Sequence, residues 1–228
     1  MPHLFIFGLG YSAKRIRKAT EVLGWRVTAT GSDGELDFED EERVRAALGA
    51  ASHVLSSVPP DNAGDPVLNR YGDALGHGWL GYLSSTGVYG DTGGAWVDET
   101  APAGAGRRTA RDEADRAWLE RGARVFRLPG IYGPGRSVFE RLAEGRAHRI
   151  DLPGQVFSRI HVDDIAGGAT PLQSLDAAGL SPQARAFYAE NRRVANGKAR
   201  RLLGWAPRYP TFREGLAAIL RPISPAAR

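Results

Sequence analysis

Two glycines near the start of the chain lie where a backbone can approach a phosphate. The apolar run Leu4–Phe7 has the length of a strand, and a helical pattern opens just after Gly8-x-Gly10-x-x-Ala13. Gly8 permits a tight turn, Gly10 leaves room for a pyrophosphate, and Ala13 lets the helix pack against the strand. Free N–H groups and the helix dipole then favour an anion. An ordinary glycine turn has the same spacing, but this strand-to-helix context favours a dinucleotide site formed by Gly8, Gly10, Tyr11, Ser12 and Ala13.

The end of the second predicted strand bears on which dinucleotide is bound. A carboxylate is expected there to bind the ribose 2′-hydroxyl of NAD. Thr30 or Gly31 occupies this position, and Asp33 lies slightly further on. Without a carboxylate a 2′-phosphate is not repelled. The sequence therefore favours NADP over NAD, with Thr30 as a cofactor-binding residue.

Strands and helices alternate around this motif. Apolar runs predict strands at Leu4–Phe7, Trp25–Thr30, His53–Val58, Trp79–Ser84 and Arg124–Leu128. Helical spacing predicts helices after Gly10 and at Glu41–Leu48, Val67–Leu75 and Thr109–Arg121. Such alternation predicts an α/β fold, a Rossmann-type doubly wound parallel sheet covered on both faces.

Two stretches do not fit this pattern. Parallel neighbours need a crossover of about a dozen residues, but only Gly31 to Glu35 separate the second strand from the segment Leu36-Asp37-Phe38. The stretch Gly167 to Pro182 is rich in glycine and alanine and shows no clear element. We hypothesise that flexible segments near residues 31–36 and 166–172 are missing from the numbered chain.

Composition limits the classes of function. The 228 residues are 42% hydrophobic and 25% charged, which is typical of a globular protein. The net charge of +4 is small, and arginines alternate with acids, so nucleic-acid binding is not predicted. Cysteine is absent, and no apolar run has the length of a membrane span. We expect a cytoplasmic protein with a small-molecule substrate, no metal and no membrane contact.

Further blocks, in matching order, resemble the extended and atypical short-chain dehydrogenase/reductases, the NAD-dependent epimerase/dehydratase group. The resemblance runs from residue 3 to about residue 220. Besides the glycine loop, it rests on Asp37-Phe38, His53 to Pro60, Ser84 to Gly90, Asp98-Glu99, Arg127 to Gly135, His161 to Asp164, Leu203 to Trp205 and Glu214 to Leu216.

The resemblance implies roles for several residues. It places Asp37 and Phe38 near the adenine, and Val58, Pro59 and Pro129 beside the cofactor. Ser85 falls at the catalytic Ser/Thr position, and Ser85 or Thr86 would hydrogen-bond a substrate oxygen. It further implies a sugar, nucleotide-sugar or related carbonyl substrate and a homodimer. The implied domains are an NAD(P)-binding domain over 1–130 and a small substrate lobe over 131–228, intertwined with the sheet.

One departure from the family pattern concerns proton transfer. Family members use a Tyr and a Lys four residues apart on a helix, and counting back from Asp115 places Arg107 and Arg111 there. A guanidinium cannot act as a base near neutral pH. Arg111 either holds a ribose or phosphate as a cation or lies on the solvated surface. Two functions stay open: an NAD(P)-dependent oxidoreductase or epimerase, and a cofactor-binding sensor or interaction module without dehydrogenase activity.

Overall fold

A computed structural model describes residues 1–76, 78–106, 109–147, 154–167 and 192–220. The chain divides into two compact units. The first comprises residues 1–90 and 102–128, and the second residues 91–101 and 129–228. The functional division at residue 130 stays a prediction.

The first unit is built on a five-stranded parallel sheet with the order β2-β1-β3-β4-β6. Its strands are β1 (His3–Phe7), β2 (Arg26–Ala29), β3 (His53–Ser56), β4 (Trp79–Ser85) and β6 (Arg124–Leu128). The register places His53 between Leu4 and Trp79. This sheet confirms the predicted Rossmann-type fold.

Helices cover both faces of this sheet. They are α1 (Tyr11–Val22), α2 (Glu41–Gly49), α3 (Pro66–Tyr71) and α4 (Thr109–Glu120), and a 3₁₀ turn (Thr86–Tyr89) follows β4. Asp40 begins α2 by accepting a hydrogen bond from the Arg43 N–H. Asp65 begins α3 by accepting from the N–H groups of Val67 and Leu68. These side chains satisfy backbone donors that lack partners in the first turn of a helix.

Side-chain alternation along the strands separates two core layers. On one face Phe5 and Phe7 pack with side chains from α2, α3 and α4, among them Tyr71 and Trp118. On the other face Leu4, Ile6 and Leu55 pack with Ala13 of α1. Because both faces of β1 are buried, its sequence is a continuous apolar run rather than an alternating one.

The connection after β2 is shorter than an ordinary crossover. Thr30 and Leu36 form a parallel bridge, and the Leu36 N–H donates to the Ala29 carbonyl at 3.2 Å. A tight turn closes the stretch, with the Gly34 N–H donating to the Gly31 carbonyl at 2.8 Å. The hypothesised missing segment at residues 31–36 stays a prediction. Most of the second hypothesised gap lies outside the described residues.

The second unit contains two short parallel pairs. In one, β5 (Trp96–Val97) pairs with β9 (Arg193–Val194); in the other, β7 (Gly130–Tyr132) pairs with β8 (Arg159–His161). Helices in its described residues are α5 (Val138–Ala143), α6 (Val162–Gly167), α7 (Gly197–Leu203) and α8 (Phe212–Leu220). The described part of the chain contains no helix long and apolar enough to cross a membrane.

Candidate functional site

The turn between β1 and α1 is held by Thr30. Gly8 has a φ of +80°, and its N–H donates to the Thr30 hydroxyl oxygen at 3.1 Å. The Leu9 N–H donates to the Thr30 carbonyl at 2.9 Å. Thr30 is buried, so its side chain supports the loop from the protein interior. Thr30 is predicted to contact the cofactor. In the structure its hydroxyl contacts Gly8 of the loop instead.

The amino end of α1 is not capped by a side chain. Gly10 occupies the cap position with extended backbone, whereas α2 and α3 are capped by Asp40 and Asp65. A Cβ added to Gly10 would meet nothing within 4 Å. The folded chain itself therefore gives no reason for a glycine at this position. A pyrophosphate lying against the backbone would give one, and it would also cap the helix.

The loop after β3 packs against the same turn. The Ser57 hydroxyl donates to the Gly8 carbonyl, and a Cβ on Gly8 would lie 3.0 Å from Cγ2 of Val58. Val58 is half-buried and Pro59 is exposed. Both thus follow β3 beside the glycine loop. Pro129, the other proline predicted at the cofactor, begins the second stretch of the second unit.

The acids of the short connection are already paired with cations of α1. Lys14 pairs with Asp33, and Arg17 pairs with Glu35 at 2.5 Å. The Glu35 carboxylate also accepts from the Ala29 N–H at 2.9 Å. Burial alone would raise the pKa of Glu35, but the hydrogen bonds from Arg17 and Ala29 lower it overall. The end of β2 therefore presents Thr30 and no unpaired carboxylate.

Asp37 and Phe38 follow the bridge at Leu36. Asp37 is exposed, and its side chain accepts from the Glu39 N–H at 2.9 Å. The Phe38 ring packs edge-on against Tyr71, with ring centroids 5.3 Å apart. Phe38 thus anchors the segment to the core and leaves Asp37 at the surface.

Ser85 and Thr86 end β4. The Ser85 hydroxyl oxygen accepts from the Gly87 N–H at 3.1 Å and so caps the 3₁₀ turn. Ser85 is half-buried, whereas Thr86 is buried. A hydroxyl that accepts one bond still has a proton to donate. Ser85 is thus the better placed of the two for a substrate oxygen.

A buried charged network begins at Ser84, the residue before Ser85. The Ser84 hydroxyl donates to Asp115 at 2.6 Å, and Nη2 of Arg127 lies 2.7 Å from the same carboxylate. Nη1 of Arg127 donates to the Tyr89 hydroxyl oxygen at 3.2 Å. Burial alone would lower the pKa of Arg127, but the bonds to Asp115 and Tyr89 raise it overall. The network joins α4 to the carboxyl ends of β4 and β6.

Arg111 lies on α4 above the sheet. Its Nη1 donates to the Tyr82 hydroxyl oxygen at 3.0 Å, and the Tyr82 ring stacks on Trp118 at 5.4 Å. Burial raises the pKa of Tyr82 to about 12, so this hydroxyl keeps its proton. Within the described ranges Arg111 forms no ion pair with a carboxylate. Arg107 lies outside the described residues.

Asp112 is buried beside the 3₁₀ turn. Neither carboxyl oxygen accepts a hydrogen bond of normal geometry in the described structure, and the nearby Gly106 N–H offsets the burial only in part. A Cβ on Gly106 would lie 2.8 Å from Oδ1 of Asp112 and would also clash with the Gly87 carbonyl. Burial raises the pKa of Asp112. The ionised form of this side chain therefore costs the native state stability.

We expect Asp112→Asn to stabilise the protein above neutral pH but not near pH 4. The native state binds the Asp112 proton more tightly than the unfolded state, so the parent loses stability as the pH rises from about 4 through the raised pKa. Removing a poorly hydrogen-bonded buried charge is worth about 1–3 kcal/mol. Thermal melting of both proteins at the two pH values measures the difference. Glu113→Gln, on the exposed side of α4, is the control, and a pH-independent gain for Asp112→Asn would contradict the expectation.

These groups share one edge of the sheet. The glycine loop, the Ser57–Val58 loop and Ser85 follow the neighbouring strands β1, β3 and β4 at their carboxyl ends. The direction of the crossovers reverses at β1, and ligands bind open α/β sheets outside such a switch point. Their roles at a cofactor stay predictions. The contacts of Asp115 with Arg127 and Ser84 were not predicted, although the family resemblance matches Asp115 to an acidic position.

The solved structures include one that is related in sequence over nearly the whole chain. It is a conserved protein of unknown function from Silicibacter pomeroyi, 36% identical over 96% of this chain and 98% of its own, with a TM-score of 0.80. The chain belongs to the family of this protein. No protein-family model matches the sequence, and a search of curated proteins finds no match.

The fold of this family occurs in proteins that are more distant in sequence. A human epimerase family protein solved with NADPH is 13% identical over 95% of this chain and 98% of its own, with a TM-score of 0.70. A Thermus thermophilus UDP-glucose 4-epimerase solved with NAD is 18% identical over 94% and 96%, with a TM-score of 0.65. The family thus has the fold of the NAD-dependent epimerase/dehydratase group, the extended short-chain dehydrogenase/reductases, as the sequence resemblance implied.

Proposed function

We propose that the protein binds NAD(P) and acts as an oxidoreductase or epimerase on a sugar, nucleotide-sugar or related carbonyl substrate. The observation that carries the proposal is the uncapped amino end of α1, where Gly10 leaves space that the fold does not use. It lies at the switch point of the sheet, beside the Ser57–Val58 loop. The human and Thermus thermophilus proteins of the same fold were solved with NADPH and NAD.

In this proposal, groups at the carboxyl edge of the sheet bind the cofactor and contact the substrate. Backbone N–H groups in the first turn of α1 hold the pyrophosphate, while Asp37 lies toward the adenine. A bound nicotinamide supplies or accepts the hydride. The Ser85 hydroxyl donates to a substrate oxygen, and the network of Asp115 and Arg127 holds the strand end that carries Ser85.

We further propose that NADP is preferred over NAD. Thr30, at the end of β2, uses its side chain to hold Gly8. Asp33 and Glu35 are neutralised by Lys14 and Arg17. No free carboxylate of this connection is thus placed to select the 2′-hydroxyl of NAD or repel a 2′-phosphate.

A cofactor-binding protein without dehydrogenase activity is the second candidate. Arg107 and Arg111 occupy the positions of the proton-transferring pair, and neither guanidinium can lose a proton near neutral pH. Arg111 is bound to the Tyr82 hydroxyl, whose pKa of about 12 also makes it a poor acid. This candidate keeps the cofactor and makes the protein a sensor or interaction module. The homodimer and the cytoplasmic location implied by the sequence stay predictions.

Titration with NADPH and NADH, followed by cofactor fluorescence, tests the proposal. We expect micromolar binding of NADPH and weaker binding of NADH. No binding of either at about 1 mM would overturn the cofactor site. Turnover assays with the bound cofactor and a panel of nucleotide-sugars and simple aldehydes then separate the candidates. Cofactor oxidation or epimer formation that falls in Ser85→Ala supports the enzyme, and binding without turnover supports the second candidate.

A further inference from the structure

A cavity of about 480 Å³ opens at the amino ends of β4 and β6. Its walls come from the loop before β4 and from the turn between α4 and β6. The carboxyl ends of the same parallel strands form the opposite edge of the sheet, where the glycine loop and Ser85 lie. The cavity is therefore separate from the proposed cofactor site.

Two exposed guanidinium groups, those of Arg121 and Arg124, line the cavity. Nη1 of Arg121 donates to the Gly72 carbonyl at 3.5 Å, and Nη1 of Arg124 donates to the Gly122 carbonyl at 3.2 Å. Neither arginine forms an ion pair with the described residues. A guanidinium has five N–H donors, so each keeps several for a ligand.

The helix ends nearby do not cancel this charge. α3 and α4 end close to the cavity, at Tyr71 and Glu120. The carboxyl end of a helix carries about half a negative charge at most, and less in a helix as short as α3. The two full positive charges in the lining outweigh the two helix ends, and the carboxylate of Glu120 is not part of the lining. The carbonyls of Gly72 and Gly122 hold the arginines in place and leave the cavity cationic.

The remaining lining combines aliphatic side chains with glycine backbone. Leu75 and Leu80 contribute carbon surface, and Gly76 and Gly122 leave their part of the wall open. Cationic groups beside apolar walls in a concave site suit a ligand with one charged and one apolar part. Guanidinium groups bind carboxylates and phosphates through paired N–H donors.

We propose that this cavity binds a small oxyanion, a carboxylate or a phosphate, that carries a compact apolar group. Arg121 and Arg124 bind the oxyanion, and Leu75 and Leu80, which lie in the same core layer, contact the apolar group. The site is independent of the proposed function and stands whether or not a dinucleotide binds at the opposite edge.

Calorimetric titration of the full chain with phenyl phosphate, benzoate, inorganic phosphate and neutral benzamide tests this site. The titrations are made with and without saturating NADPH, so that phosphate binding at the glycine loop is recognised by competition. We expect phenyl phosphate or benzoate to bind in the presence of NADPH at least about tenfold more tightly than benzamide or inorganic phosphate. The preference between the two aromatic anions identifies the oxyanion as phosphate or carboxylate.

Substitutions locate the binding. Arg121→Gln and Arg124→Gln should each weaken it about tenfold, and the double variant about a hundredfold, because each removes a charge-assisted bond. Arg116→Gln, exposed on the same helix, should bind like the parent. No binding at about 10 mM, binding unchanged in the double variant, or equal binding of inorganic phosphate would overturn the proposal. None of these outcomes bears on the cofactor site, which the NADPH titration tests separately.

Discussion

Asp115→Ala should lower the free energy of unfolding by about 3–5 kcal/mol, the cost of leaving one member of a buried ion pair alone. The Asp115 side chain is 3% exposed and the Arg127 side chain is 15% exposed, so water replaces little of the lost bonding. Ser84 would lose its acceptor at the same time. Urea unfolding followed by circular dichroism measures the change.

Two comparisons isolate the buried pair. Glu21→Ala removes the partially exposed partner of Arg17 and should cost less than about 1 kcal/mol. Arg127→Met in the Asp115→Ala background should recover part of the loss, because it removes the uncompensated cation. A loss below about 1 kcal/mol for Asp115→Ala would mean that solvent reaches the pair.

Gly10→Val should leave the fold intact but weaken NADPH binding about a hundredfold or more. Gly10 has a φ of −80° and an extended ψ, which valine adopts readily, and a Cβ there meets nothing within 4 Å. The loss in affinity corresponds to about two charge-assisted bonds between the backbone and the pyrophosphate. Fluorescence titration gives the affinity, and thermal melting checks the fold.

A second glycine provides the matched control. Gly49 ends α2, and a Cβ there also meets nothing within 4 Å. Gly49→Ala should keep both stability and NADPH affinity. Gly8→Val is unsuitable because of the positive φ of Gly8 and its contact with Val58. Unchanged NADPH affinity in a well-folded Gly10→Val protein would show that the pyrophosphate does not lie on this turn.

The features that follow from local sequence were predictable. The strand Arg124–Leu128 is observed with its predicted bounds, and α1 begins at the residue after Gly10. A short apolar run and a glycine fingerprint are local signals, because strand burial and helix initiation depend on neighbours in sequence. The parallel sheet then follows from the alternation of elements.

Contacts between distant residues were not predictable in the same way. Ser84, Asp115 and Arg127 meet because β4 and β6 are neighbours and one face of α4 covers both. The sequence alone does not orient that face, so it left open whether Arg111 was buried. The structure gives a partner, the Tyr82 hydroxyl. The hydrogen bond between Thr30 and Gly8 was also not predictable, because it depends on the register of β1 and β2.

The short connection from Thr30 to Leu36 also affects how the molecule avoids self-association. It leaves β2 as an outer strand of the five-stranded sheet, with backbone donors that a second copy of the chain is able to pair with. Glu35 places its carboxylate on one of these donors, the Ala29 N–H. Another strand would have to displace a charged group before extending the sheet. The acid that closes the connection thus also protects the edge against aggregation.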